Sequence, residues 1–219
     1  PQEIYLPFVK GQVTGTSAIP APIFNKKEAN RLLKSAGWVL RDGVQMKGQE
    51  KLQLKVVTRK NSDYEKVLRI LIGQWRELGI QVTSESYDPS QFTQDVFQLR
   101  NYDVLLDGLR IGRDPDVFAY WHSHGPQNLN GYGNQLSDDL LLSARVRSDP
   151  ALQNIKYTAF AKQWLSDVPA IGLYQTNFVY IHSKATHALD SDEVIVSSDD
   201  HYANVRYWTA KSGTVYKTP

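Results

Sequence analysis

The chain has 219 residues with 25 basic and 23 acidic side chains, 41% apolar residues and no cysteine, enough for one medium domain or one with a small appendage. The balanced, interspersed charge forms no basic stripe for nucleic acid. Without cysteine, thiolate catalysis, disulfide staples and Cys-based zinc sites are excluded. No run of about 18 apolar residues can span a membrane as a helix, and residues 1–10 lack the charged-then-apolar pattern of a signal peptide. Five Trp and twelve Tyr can serve a packed core or line a ligand cleft.

Residues 1–24 read as extended chain punctuated by Pro7, Gly11, Gly15, Pro20 and Pro22. Asn25, with Glu28 three residues on, makes a capping-box pattern ahead of Ala29, Leu32, Leu33 and Ala36. Gly37 then stops that helix in the left-handed position. A hairpin is expected over Trp38–Gly48 around Asp42-Gly43. Leu52–Thr58 is strand-like, and Asn61-Ser62-Asp63 announces a helix whose apolar face is Val67, Leu68, Leu71, Trp75 and Leu78.

Gly79 ends that helix, and Ile80–Tyr87 alternates as a half-buried strand. A short helix follows from Asp88-Pro89 to Leu99. Tyr102–Leu109 then reads as an apolar strand covered on both faces. This order argues for an α/β fold with parallel βαβ units. A short aromatic helix (Val117, Phe118, Tyr120, Trp121) and a Gly/Asn-rich loop to Asn134 lead into two further helices. The first begins near Ser137 with Asp138 and Asp139 at its positive end, the second at Asp149-Pro150. Ala170–His182 is β-prone, and periodicity is lost from Ser183 onward.

Most chemical motifs fail on spacing. His122 and His124 stand two apart, but no third ligand is placed, and they read as surface histidines beside a helix end. No G-x-S-x-G elbow occurs. Gly131-Tyr-Gly133 follows no strand and lacks the third glycine of a nucleotide loop. Asp138-Asp139 and Asp199-Asp200 are helix-start and turn residues. The segment from Asp107 to Asp116 differs: it leaves the C-terminal end of a buried strand, where α/β sheets present ligands. Its arginines and aspartates can bind an anion or a zwitterion; read otherwise, it is a solvated loop with an N-cap at Asp114.

In unbroken order, five segments resemble the peptide and nickel solute-binding proteins of ABC importers (family 5). They are NKKEANRLLKSAGW (25–38), LKVVTRKNSDYEKVLRILIGQWRELGIQV (54–82), NYDVLLDGLRIGRDPDVFAYWHS (101–123), NLNGYGNQLSDDLLLSAR (128–145) and DVPAIGLYQTNFVYIHSK (167–184). DDHYANVRYW (199–208) is similar to that family's terminal strand. The likeness covers roughly residues 5–210, the C-terminal part of a protein more than twice as long.

The resemblance implies a largely parallel mixed sheet with helices on its faces, the second lobe of a periplasmic-binding-protein-like type II fold. It places that lobe at residues 1–182 and makes 183–219 a tail that returns to the first lobe. It implies a monomeric receptor at the periplasm or cell surface, lipid-anchored in full length, that captures an oligopeptide or dipeptide for membrane permease subunits. It implies no catalysis, cofactor, metal or nucleic acid. A non-peptide solute (oligosaccharide, anionic compound or metal chelate) and a stand-alone interaction domain are the alternatives.

The resemblance puts the ligand contacts at Asp107, Arg110, Arg113, Asp114, Tyr120 and Trp121. One departure stands out. Where peptide-binding members carry an aspartate for the ligand's α-ammonium, this chain has Ile111, and Leu109 or Gly108 replaces their tryptophan. A buried ammonium without a carboxylate is costly, so an N-terminally anchored peptide requires Asp107 or Asp114 as substitute, while Arg110 and Arg113 suit an acidic or sugar-like solute.

Overall fold

The structure, a computed structural model, describes residues 1–177, 179–187, 198–202 and 205–210. The chain opens with β1 (Gln2–Glu3) and a 3-10 turn at Thr14–Ala18, then α1 (Lys26–Ser35). Next come β2 (Val39–Arg41), β3 (Val44–Lys47), β4 (Glu50–Lys51), β5 (Gln53–Arg59), α2 (Ser62–Glu77) and β6 (Gln81–Tyr87). α3 (Pro89–Phe92) runs on into a π-helical segment, Thr93–Gln98, before β7 (Val104–Leu106) and α4 (Phe118–Trp121). α5 (Gln135–Arg145), α6 (Pro150–Asp167), β8 (Tyr174–Gln175), β9 (Thr186–His187), α7 (Ser198–His201) and β10 (Thr209–Ala210) follow. Two compact units result: Ile23–Leu109, and Pro1–Pro22 together with the described residues from Arg110 onward.

The Ile23–Leu109 unit is built on a parallel sheet in the order β6-β5-β7. Its central strand is rich in β-branched residues, and consecutive Val56 and Val57 point to opposite faces yet are both fully buried. Both faces are therefore covered. The connections β5-α2-β6 and β6-α3-β7 run in opposite directions across the sheet, which for right-handed crossovers places α2 and α3 on opposite faces. Leu68 of α2 and Phe92 and Val96 of the second crossover supply the buried apolar surface. Each such side chain contributes about 1.5–3 kcal/mol.

Local signals set the ends of these elements. The Asn61 side chain accepts from the N–H groups of Asp63 and Tyr64 at 2.9 and 3.3 Å, which starts α2. Asp42 and Gly43 both have positive φ, 49° and 79°, and join β2 to β3 in the turn that matches strand twist. Gly79, at φ 81°, closes α2 where no side chain fits: a Cβ there would lie 2.5 Å from Leu40 Cδ1 and 3.1 Å from the Gly43 carbonyl. Its carbonyl accepts from the Gln45 N–H at 2.9 Å, tying the hairpin to the end of α2.

The other unit packs around α5 and α6. Tyr157, Phe160, Ala161 and Trp164 recur at helical spacing along α6 and meet Leu141 and Ala144 of α5. The amino-terminal stretch, expected to be merely extended, contributes Phe8, Val13 and Ile19 to this core, and its Gly15 N–H bonds Asn154 Oδ1 at 3.1 Å. β1 pairs antiparallel with β8. Tyr180 meets His201 at a tilt and Tyr202 and Trp208 edge-on, forming an aromatic group, and β9 pairs with β10.

Several boundaries differ from expectation. β7 is three residues long, and its Val104, Leu105 and Leu106 are only half-buried. The next residue, Asp107, is held in an ion pair described below. Asn134, not Ser137, caps α5; Ser137 lies inside the helix, fully buried. Glu28 does not reach back to close a capping box, since its carboxylate is held by Arg31 at 2.7 Å, although Asn25 does cap α1. Among the described residues of the β-prone stretch 170–182, only Tyr174–Gln175 forms a strand, and Val179 and Ile181 are 75% and 88% exposed.

Candidate functional site

Sheet register decides the fate of Asp107. β5 and β7 run parallel with Thr58 opposite Leu106, so the next residues, Arg59 and Asp107, meet at the C-terminal edge. The Arg59 guanidinium grips the carboxylate through Nε–Oδ1 at 2.8 Å and Nη2–Oδ2 at 3.0 Å. Arg59 also lies 4.0 Å from the Phe92 ring centroid. The hydrogen bond to Asp107 raises the Arg59 pKa above its ordinary value. Both Asp107 oxygens are thus occupied from within the unit. Gly108 follows because the chain passes Tyr64: a Cβ at Gly108 would lie 2.5 Å from the Tyr64 hydroxyl.

The remaining predicted residues lie in the other unit. Arg110 is exposed, and its carbonyl accepts from the Tyr120 hydroxyl at 2.8 Å. Tyr120 is half-buried against the core, so this hydrogen bond anchors the Arg110 backbone. The Gln12 side-chain amide donates to the carbonyls of Gly112 and Arg113 at 2.7 and 3.0 Å. Arg113 Nη1 lies 3.9 Å from Asp200 Oδ1.

Asp114 is not the cap of α4. Its Oδ1 accepts from the Asp116 N–H at 3.1 Å, and Asp116 Oδ1 takes the Phe118 N–H at 3.0 Å. Asp116 Oδ2 is paired with Arg145 Nε at 2.8 Å, and that guanidinium stacks 4.4 Å from the Phe118 ring centroid. Trp121 is 6% exposed and meets Trp164 edge-on at 5.3 Å, inside the core. The structure thus gathers Arg110, Arg113, Asp114 and Tyr120 on one braced segment and puts Trp121 beneath it.

Downstream, a polar network fixes the loop between α4 and α5. Asn128 donates to the carbonyls of His122 and Tyr132 at 3.1 and 2.6 Å. The Tyr132 hydroxyl donates to Asp167 at 2.6 Å and lies 2.7 Å from Ser137 Oγ. Burial, then the bond to Asp167, pushes the Tyr132 pKa up to about 12. His122 Nδ1 accepts from the His124 N–H at 3.0 Å, which leaves Nε2 facing Asp138 at 3.9 Å. Among the described residues no three His, Asp or Glu side chains gather in a metal-binding group. No helix of the described residues is long and apolar enough to cross a membrane.

A shallow depression of about 430 Å³ lies at the opposite, N-terminal ends of β5 and β6, lined by Gln53, Arg76, Gly79 and Thr83 among others. It is wide open and holds one charged side chain, so it lacks the convergent polar groups of a ligand site. Sequence reasoning missed Arg59, Gln12 and Arg145. Arg59 directly follows the strand expected over Leu52–Thr58, and Arg145 lies downstream of the helix start expected near Ser137, but their partners depend on register and packing that one sequence does not display.

The family model for bacterial extracellular solute-binding proteins, family 5 Middle, matches residues 3–130. A comparison with curated proteins gives no match. Among solved structures, the chain is similar to the oligopeptide-binding protein AppA from Bacillus subtilis in complex with a nonapeptide. That match has a TM-score of 0.73 and 19% identity, covering 95% of this chain and 43% of AppA. NikZ from Campylobacter jejuni, in complex with Ni(L-His), gives 0.66 and 20%, covering 87% and 40%. DppA from Helicobacter pylori, in complex with the peptide STSA, gives 0.64 and 22%, covering 78% and 33%. The chain therefore spans less than half the length of each of these proteins. Likeness at this identity fixes the fold, a periplasmic-binding-protein-like type II α/β architecture with a parallel sheet and helices on its faces. The family match covers more than half of the chain, and the chain belongs to the bacterial extracellular solute-binding proteins of family 5.

Proposed function

We propose that this chain is part of the receptor of an ABC importer, capturing an oligopeptide or dipeptide outside the cytoplasmic membrane and passing it unaltered to permease subunits. The observation that carries this reading is the family match, which spans the whole parallel-sheet unit and continues through the braced segment 110–121. The peptide complexes of AppA and DppA support peptide as the solute class. Arg110, Arg113, Asp114 and Tyr120 are the proposed solute contacts, while Asp107 serves by fixing the strand end through Arg59. The tail from 183 is proposed to complete its packing against the remainder of a longer protein, anchored at the cell surface.

A second reading, a non-peptide solute, is favoured by one observation: Asp107, a possible substitute for the amine-binding aspartate whose place the family resemblance gives to Ile111, already has both oxygens occupied. Equilibrium dialysis against mixed short peptides, read by mass spectrometry, tests the proposal. Saturable retention of intact peptides supports it. Release of hydrolysed peptides, or no retention beside retention of an oligosaccharide or metal chelate, contradicts it.

A further inference from the structure

The charges of the 110–116 segment are unequally committed. Asp116 gives one oxygen to the Phe118 N–H and the other to Arg145. Asp114 holds its own turn through the Asp116 N–H. Arg113 faces Asp200 at 3.9 Å. Arg110 is exposed, and among the described residues no carboxylate engages its guanidinium. The backbone that carries it is nevertheless fixed at two points, by Tyr120 on the Arg110 carbonyl and by Gln12 on the carbonyls of Gly112 and Arg113. Preorganisation of this kind lowers the ordering cost of binding. A solute that covered this exposed guanidinium would have to bring a counter-charge, since sequestering it from water without one is strongly unfavourable, and its planar fork matches a carboxylate.

Resting on the receptor reading above, we infer that the solute meets this segment with a carboxylate, that Arg110 is the cation that takes it, and that Gln12 and Tyr120 are positioning residues. This is the reverse polarity of an ammonium anchored on an aspartate. The carboxylate can be a peptide's C-terminus or an acidic side chain; both present the same chemistry to Arg110.

The test uses the full-length protein and four pentapeptide pools: unmodified, C-terminally amidated, N-terminally acetylated, and free of Asp and Glu. Retention is measured for the wild type, Arg110→Gln and Gln12→Leu. Amidation should weaken retention roughly tenfold or more if the C-terminus is the source. Loss of acidic side chains should do so if they are the source, and acetylation should change neither. Arg110→Gln should erase the discrimination. Gln12→Leu should narrow the discrimination by weakening retention of the carboxylate-bearing pool more than that of the weaker pool, whereas a merely structural role would lower all pools together.

Weakening by acetylation alone, equal retention of all pools, or discrimination that survives Arg110→Gln overturns the inference while leaving the receptor reading intact. Retention of no pool overturns the peptide reading and the inference with it.

Discussion

Replacing Asp107 by Ala removes the acceptor of a two-pronged ion pair whose members are unequally sheltered, with Asp107 11% and Arg59 40% exposed. A fully exposed pair contributes about 0.2–1 kcal/mol, and breaking a fully buried one costs about 3–5 kcal/mol. The half-exposed Arg59 can rehydrate and keeps its stacking on Phe92, so the loss should sit between these limits, at about 1.5–3 kcal/mol. For a chain of this size that lowers the melting temperature by roughly 3–12 °C. Urea denaturation followed by circular dichroism gives the free energy directly, and a cycle with Arg59→Ala gives the coupling, expected at about 1 kcal/mol or above. Solute affinity of the folded Asp107→Ala protein should be unchanged. Stability unaltered within about 0.5 kcal/mol in both single variants, with solute affinity lost, would refute the reasoning and make Asp107 a direct ligand residue.

Gly79→Ala places a Cβ against Leu40 and the Gly43 carbonyl at φ 81° and should destabilise the Ile23–Leu109 unit by about 2 kcal/mol or more, seen as a lower urea midpoint. Val168 ends α6 in the left-handed region at φ 51°, an unfavourable place for a β-branched residue, so Val168→Gly should raise stability by about 1 kcal/mol in the same assay. Asp167 is held below the ordinary carboxylate range first by the Tyr132 hydroxyl, then by Gln163 and Asn134. A depressed carboxylate contributes stability that is present above its unfolded pKa of about 3.9 and lost as pH falls through the folded value. Urea midpoints should therefore fall in that acidic window, and Asp167→Asn should flatten that part of the profile.

What was legible in the sequence was local. Asn25, Asn61 and Asp149 cap the helices they were expected to cap, because an Asx oxygen reaches only the next few N–H groups. Gly37 and Asp42-Gly43 lie in the positive-φ conformations that their turns demand. The β-α-β-α-β order gave the parallel pairing, since such connections have few topological solutions. What was not legible depended on register over long separations. Arg59 and Asp107 are 48 positions apart and meet only because β5 and β7 align Thr58 with Leu106. Gln12 reaches its carbonyls across 100 residues of sequence. Trp121 shows the converse: its place in an aromatic segment suits a cleft wall, but helical phase turned the ring onto Trp164.

The receptor claim is tested most directly by native mass spectrometry of the full-length protein recovered under non-denaturing conditions from its own cells, followed by release and sequencing of whatever it holds. The expected result is a bound species lost on denaturation that fragments as an intact peptide. A non-peptide adduct, or peptide products turned over during the measurement, would contradict the account.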